Sequence, residues 1–260
     1  MPNLNLNQDQ ILYYKRIDGD FNKPQLVFLH EGLGCERMWK DFPEELCKRT
    51  GCPGLIYDRI GYGQSTPLMS KRTVHYLHHY AFDELPIVLE SLIPHRSFIL
   101  VGHSDGASIS LIHASQKPQN LIGIISLAAH VIVEQETLEG IRTAEVAWNL
   151  NKLDGLYKYH GDKTGKIFNA WVKTWLSPWF ESWSIEYLLS SVDVPVLALQ
   201  GENDQYATDK QIHLINEKVN GKVTPLLVKG CAHSPHTEAK EEVSVIMSRF
   251  ILDVIADNAP

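Results

Sequence analysis

The stretch Ser97-Phe98-Ile99-Leu100-Val101-Gly102-His103-Ser104-Asp105-Gly106-Ala107-Ser108 decides how the rest of the chain is read. Ser97–His103 is a continuous apolar run, the pattern of a strand buried on both faces of a parallel sheet. Ser104–Gln116 reads as a helix that follows at once. At the junction, Gly102-His103-Ser104-Asp105-Gly106 fits G-x-S-x-G in the strand–turn–helix setting that raises a serine hydroxyl above the C-terminal edge of a sheet. Glycines on both sides permit the sharp turn, and the helix N-terminus below favours developing negative charge. An ordinary N-cap serine would occupy the same place, so the choice depends on what surrounds it.

Outward from this junction, strand-like and helix-like segments alternate, which argues for an α/β fold with a mostly parallel central sheet flanked by helices. Strands are expected at Ile11–Ile17, Gln25–His30, Gly54–Asp58, Leu121–Ala128, Pro195–Gln200 and Val223–Val228. Helical spacing covers Met38–Arg49, Thr73–Ile93, Asp209–Val219 and Glu238–Ile255, with Pro86 expected to kink or break the second of these. The rhythm fails between His130 and about Ser191, where no good β run occurs and five of the six tryptophans gather. The expected division is a core of residues 1–129 and 192–260 with a helical cap insertion at residues 130–191.

A serine hydroxyl needs a neighbouring base before it becomes a good nucleophile, and that base should stand on another loop at the same sheet edge. Gly230-Cys231-Ala232-His233-Ser234-Pro235-His236 follows the last expected strand and offers two histidines. His233 lies in the loop, while His236 follows Pro235 and is expected to enter the terminal helix, so His233 is the better base. The base in turn needs a buried carboxylate to fix its tautomer and stabilise its imidazolium. Gly201-Glu202-Asn203-Asp204 follows another strand; Asp204 is the choice and Glu202 the alternative. Acyl transfer also requires backbone N–H donors for the oxyanion. One should be Asp105, directly after the nucleophile. The other should come from His30-Glu31-Gly32-Leu33-Gly34, with Gly32 ahead of Leu33.

Composition narrows the classes. With 260 residues, 44% of them hydrophobic and 21% charged, the chain can build one large core with a modest insertion. A net charge of −7 and the absence of any basic run argue against nucleic-acid binding. The N-terminus shows no secretory signal, and Leu121–Val133, the longest apolar stretch, is too short and broken to span a bilayer. Cys35, Cys47, Cys52 and Cys231 form no C-x-x-C pair or zinc spacing and are expected to be free thiols in the cytoplasm.

With these residues in view, the chain resembles the α/β-hydrolase superfamily across nearly its whole length. The resemblance rests on LHEGLGCERMW, YDRIGYGQS, LVGHSDG, LALQGENDQYAT and GCAHSPHTE, and on the order Ser104, Asp204, His233. Asp58 to Ser65, D-R-x-G-x-G-x-S, is typical of members with a cap. Gly61-Tyr62-Gly63 lacks the third glycine and the immediate helix of a dinucleotide site. One departure stands out: relatives usually carry His-Gly where this chain has His30-Glu31. Glu31 and Asp105 would disfavour substrates with an anionic acyl end.

The resemblance implies a carboxylesterase-type serine hydrolase working through an acyl-enzyme, with no metal and no cofactor required. The partner expected is a small-molecule substrate, with no nucleic acid and no membrane, and a homodimer is left open. Carbon–carbon hydrolysis of vinylogous diketones with the same triad is the alternative reaction, and a non-catalytic small-molecule sensor the alternative of another class. In the cap, Trp171, Trp175 and Trp179 recur at four-residue spacing and could share a helix face, which Trp183 continues if the helix survives Pro178. Leu33, Trp171 and Trp175 are the expected pocket residues. Tyr157, Tyr159, His160 and Asp162 are further candidates for the cleft.

Overall fold

The computed structural model describes residues 2–258. Eight strands form one sheet: β1 (Asn3–Asn5), β2 (Ile11–Ile17), β3 (Gln25–Leu29), β4 (Gly54–Tyr57), β5 (Phe98–His103), β6 (Leu121–Leu127), β7 (Val196–Gly201) and β8 (Val223–Val228). Their order is β1-β2-β4-β3-β5-β6-β7-β8. The β1–β2 and β2–β4 pairs are antiparallel, and every pair from β4 through β8 is parallel. The apolar strand of the G-x-S-x-G junction, β5, lies between β3 and β6 with all six residues buried. Its side chains alternate between faces. Phe98 and Leu100 join one core cluster, Ile99 and Val101 the other.

Helices cover both faces: α1 (Phe42–Thr50), α2 (Tyr76–His79), α3 (Leu85–Leu92), α4 (Asp105–Ala114), α5 (Gln135–Asn149), α6 (Tyr157–His160), α7 (Thr164–Trp175), α8 (Glu186–Leu189), α9 (Lys210–Lys218), α10 (Pro235–Glu238) and α11 (Lys240–Asp257). Phe42 and Leu46 of α1 share a core with Val243, Met247, Ile251 and Val254 of α11. On the other face, α3 and α4 pack into one cluster with Ile141 of α5 and with Ile167, Trp171 and Trp175 of α7. The chain between β6 and β7 is therefore a helical cap joined to the sheet's hydrophobic core. Its β structure among the described residues is a single bridge between Ile132 and Ser184.

One expected helix is divided, the break expected at Pro86 falls just before it, and one short strand was not expected. Met38–Arg49 is a 3₁₀ turn (Glu36–Trp39) and then α1, with Lys40 at φ 56° between them; Pro43 belongs in the first turn of a helix and sets the restart. Thr73–Ile93 is divided by a π-helical turn at Tyr80–Glu84, directly before Pro86 near the start of α3. In the wider turn the Leu85 N–H donates to the Tyr80 carbonyl, and Pro86, which has no N–H to donate, falls in the first turn of α3, where none is needed. The strand β1 has no apolar alternation to announce it, since its three residues are Asn, Leu and Asn.

Candidate active site

Ser104 stands at the end of β5 with φ 53° and ψ −118°, a backbone conformation that a side chain rarely adopts. The glycines around it are required by contact. A Cβ on Gly102 would lie 2.4 Å from the carbonyl oxygen of Gly106, and one on Gly106 would lie 2.0 Å from that of Leu29. The turn thus presses α4 against β3, and it delivers the hydroxyl to the wall of a cavity of about 110 Å³.

Two other strand ends converge there. Ser104 Oγ lies 3.0 Å from Nε2 of His233, and Nδ1 of His233 lies 2.9 Å from both carboxylate oxygens of Asp204. The Asp204 side chain is fully buried. Burial alone would raise its pKa, but the hydrogen bond and charge of His233, with the Tyr206 N–H, hold it below the ordinary value. The His233 loop is braced at several points. Gly230 turns it with φ 73°, and the Ala232 and Ser234 N–H groups donate to Glu238 of α10 at 2.6 and 3.0 Å. His103 Nε2–H donates to the His233 carbonyl at 2.9 Å.

The competing residues go elsewhere. His236 is buried against Trp39, Phe42 and His103, and desolvation together with the nearby His103 and His233 pushes its pKa well down. Glu202 is exposed and accepts from the Gly230 N–H at 3.1 Å.

The loop after β3 brings Gly32 beside Asp105. A Cβ on Gly32 would lie 3.2 Å from Asp105 Oδ1 and 2.8 Å from Nε1 of Trp171. The N–H groups of Gly32 and Asp105 have no hydrogen-bond partner among the described residues, which leaves both able to receive an oxyanion. The neighbouring carbonyls are committed to Arg59, which is fully buried. Its guanidinium donates to the His30 carbonyl and, at 2.9 Å, to that of Glu31. His30 Nδ1–H also donates to the Glu31 carbonyl at 2.8 Å, and its Nε2 accepts from the Arg59 N–H at 3.2 Å. This fixes one neutral tautomer, in keeping with the strong lowering of its pKa by burial and by Arg59.

Here the D-R-x-G-x-G-x-S stretch finds its physical role. Arg59 holds the loop after β3, while Asp58 accepts from the N–H groups of Glu36 at 2.6 Å and Gln64 at 2.7 Å.

Leu33, Trp171 and Trp175 line the cavity, as does Glu31, together with His130, Thr137, Ile141 and Tyr206, which local sequence pattern did not single out as pocket residues. Of these, Tyr206 carried a faint signal, following Asp204 by two positions. The α7 helix ends at Trp175, so Trp179 leaves the shared face and is 48% exposed, while Trp183 is buried. Tyr157 and Asp162 are exposed and Tyr159 packs on Arg37. His160 is a tether: its Nε2–H donates to the Leu33 carbonyl at 2.8 Å and its Nδ1 accepts from the Gly63 N–H at 3.0 Å.

A mostly parallel sheet covered on both faces, with a serine, a histidine and an aspartate joined at its C-terminal edge under a helical cap, is the architecture of the α/β-hydrolase class. The chain belongs to the alpha/beta hydrolase family, whose model matches residues 26–245. It is 29% identical over 152 residues to the 2-succinyl-6-hydroxy-2,4-cyclohexadiene-1-carboxylate synthase of Enterobacter sp. (strain 638), a match covering 57% of this chain and only about half (52%) of that relative. With the monoglyceride lipase homolog of monkeypox virus it shares 22% identity over 268 residues, covering 95% of this chain and 94% of the relative. The proline iminopeptidase of Mycobacterium smegmatis has the same fold, with a TM-score of 0.74 at 16% identity over 99% of both chains. Among the described residues, no helix is long and apolar enough to cross a membrane.

Proposed function

We propose that the protein is a serine hydrolase that cleaves a small carboxylic ester, thioester or lactone through an acyl-enzyme. The observation that carries this reading is the unbroken chain from Asp204 through His233 to Ser104, with links of 2.9 and 3.0 Å at a cavity wall. Ser104 Oγ attacks the acyl carbon as its proton passes to Nε2 of His233, and Asp204 stabilises the imidazolium. The N–H groups of Gly32 and Asp105 receive the oxyanion. His233 then protonates the leaving alcohol, and a water activated by the same imidazole releases the acid. Residues 130–191 act as the cap that shapes the acyl site. The relative named as a monoglyceride lipase homolog, aligned along most of the chain, supports an ester as the substrate.

Glu31 and Asp105 line the cavity and no Lys or Arg is among its lining residues, so neutral acyl groups are preferred over those ending in a carboxylate. Comparable kcat/KM for matched neutral and anionic esters would remove that preference. The four buried free thiols support a reducing cytoplasmic setting.

Labelling with a fluorophosphonate probe followed by peptide mapping tests the reaction class. The label is expected on Ser104 and is expected to vanish in Ser104→Ala. An unlabelled protein, or a label on another serine, would end the proposal.

A further inference from the structure

Each candidate oxyanion residue is gripped by a tyrosine hydroxyl. Tyr62 donates to the Gly32 carbonyl at 3.0 Å, and Tyr76 donates to Oδ2 of Asp105 at 3.0 Å. The Tyr76 hydroxyl accepts from Nε1 of Trp175 at 3.0 Å, which directs its own proton to the carboxylate. One guanidinium joins the two tyrosines. The Arg72 Cζ lies 4.5 Å from the Tyr76 ring centroid and 5.8 Å from that of Tyr62, and its Nη2 donates to the Tyr62 hydroxyl. Nε and Nη1 of Arg72 are buried without a hydrogen-bond partner among the described residues.

Arg72 and Asp105 are linked through Tyr76, whose ring meets the guanidinium and whose hydroxyl meets the carboxylate. Asp105 is 2% exposed, and the distance from its Oδ1 to a Cβ on Gly32 would be 3.2 Å, so a carboxylate abuts the oxyanion loop. Among the described residues no lysine, arginine or histidine forms an ion pair with it. A fixed negative charge beside a developing one works against the transition state, and an oxyanion hole acts only when its donors are set before the charge appears.

We infer that Arg72 is a positioning residue for the oxyanion hole: it clamps Tyr62 and Tyr76, through them Gly32 and Asp105, and its charge offsets the Asp105 carboxylate. The inference rests on Ser104 being the nucleophile. It predicts a loss in kcat rather than in KM, because the hole is filled only in the transition state.

The test uses the full chain, a neutral p-nitrophenyl ester and a neutral trifluoromethyl ketone that forms a tetrahedral adduct. Arg72→Gln is expected to lower kcat by about 10- to 100-fold with KM within about threefold, and adduct affinity is expected to fall by a similar factor. Arg72→Lys keeps the charge and is expected to recover part of the loss. In an Asp105→Asn background the Arg72→Gln effect is expected to shrink to about half its logarithm or less, since the charge to be offset is gone.

A kcat within about twofold of wild type in Arg72→Gln, or a change confined to KM, would overturn the inference. So would an undiminished effect in the Asp105→Asn background. Should Arg72→Gln fail to fold, Tyr76→Phe decides, with an expected loss of about tenfold in kcat; no loss overturns the clamp. Labelling at Ser104 in the unsubstituted protein, together with unaltered turnover in these variants, would sink this inference alone. Absence of that labelling would sink the nucleophile assignment beneath it.

Discussion

Ser104, Asp204 and His233 stand one, three and five residues beyond the ends of their strands, whereas Trp171 and Trp175 reach the same cavity from a helix inserted between β6 and β7. The rim of the sheet therefore sets its geometry through backbone: parallel register places three loops at one edge, and short loops leave their side chains little freedom. The cap sets its geometry through contacts between residues far apart in sequence, such as His160 with Leu33 and Trp175 with Tyr76. The rim is suited to fixed chemistry, and the cap to variation in what enters.

The sharpest way to break this division is to compare losses across it. Ser104→Ala is expected to lower kcat by about 10⁶, and Asp204→Asn by about 10⁴, because the amide leaves His233 in the wrong tautomer. Trp171→Ala, on the cap side, is expected to change kcat by less than about tenfold while shifting KM and acyl-length preference. Steady-state kinetics over a series of acyl chains checks all three. A cap substitution as damaging to kcat as Asp204→Asn would show that the cap shares in the chemistry.

The same division governs what could be read from the chain alone. Each triad residue carried a local signal: an apolar strand, then a turn of small residues, then a chemically apt side chain. The choice of His233 over His236 followed from loop against helix, and His236 lies in the aromatic cluster of Trp39 and Phe42. The cap gave no such punctuation. Four-residue spacing grouped Trp179 with Trp171 and Trp175, but the helix stops at Trp175, short of Pro178. His160 looked like a cleft residue because its two backbone partners, Gly63 and Leu33, are roughly one hundred residues away in sequence or more. Arg59 stood inside the D-R-x-G-x-G-x-S stretch with its role unread, and Arg72 lay outside any motif, since burying a guanidinium against tyrosine rings depends on tertiary packing.

Gly32 and Trp171 provide a smaller test, at the seam between the two regions. A Cβ on Gly32 would meet Trp171 Nε1 at 2.8 Å and Cδ1 at 3.0 Å. Gly32→Ala is therefore expected to displace either the oxyanion loop or the cap helix and to reduce kcat by about 10- to 100-fold. Trp171→Phe removes the indole nitrogen and should restore part of that activity in the double variant. Strict additivity of the two substitutions in kcat would mean that the loop and the cap do not bear on each other here.

The smallest effect comes from behind the rim. Glu84, 7% exposed, accepts from the Ile60 N–H at 3.0 Å through Oε2, while Oε1 has no partner among the described residues. Burial outweighs the Ile60 hydrogen bond and the Arg59 charge, and pushes its pKa up to about 8 from an ordinary 4.5. Between those values the unfolded chain has released the proton while the folded chain still holds it. Stability must therefore fall as pH rises through this window and level off above it. Glu84→Gln has no proton to lose. Its melting temperature relative to wild type is expected to improve by a few degrees between pH 5 and pH 8. Thermal denaturation across that range checks the sign: curves that stay parallel would mean that Glu84 is already ionised in the folded protein, and that the polar layer beneath the oxyanion loop carries one more negative charge than its surroundings suggest.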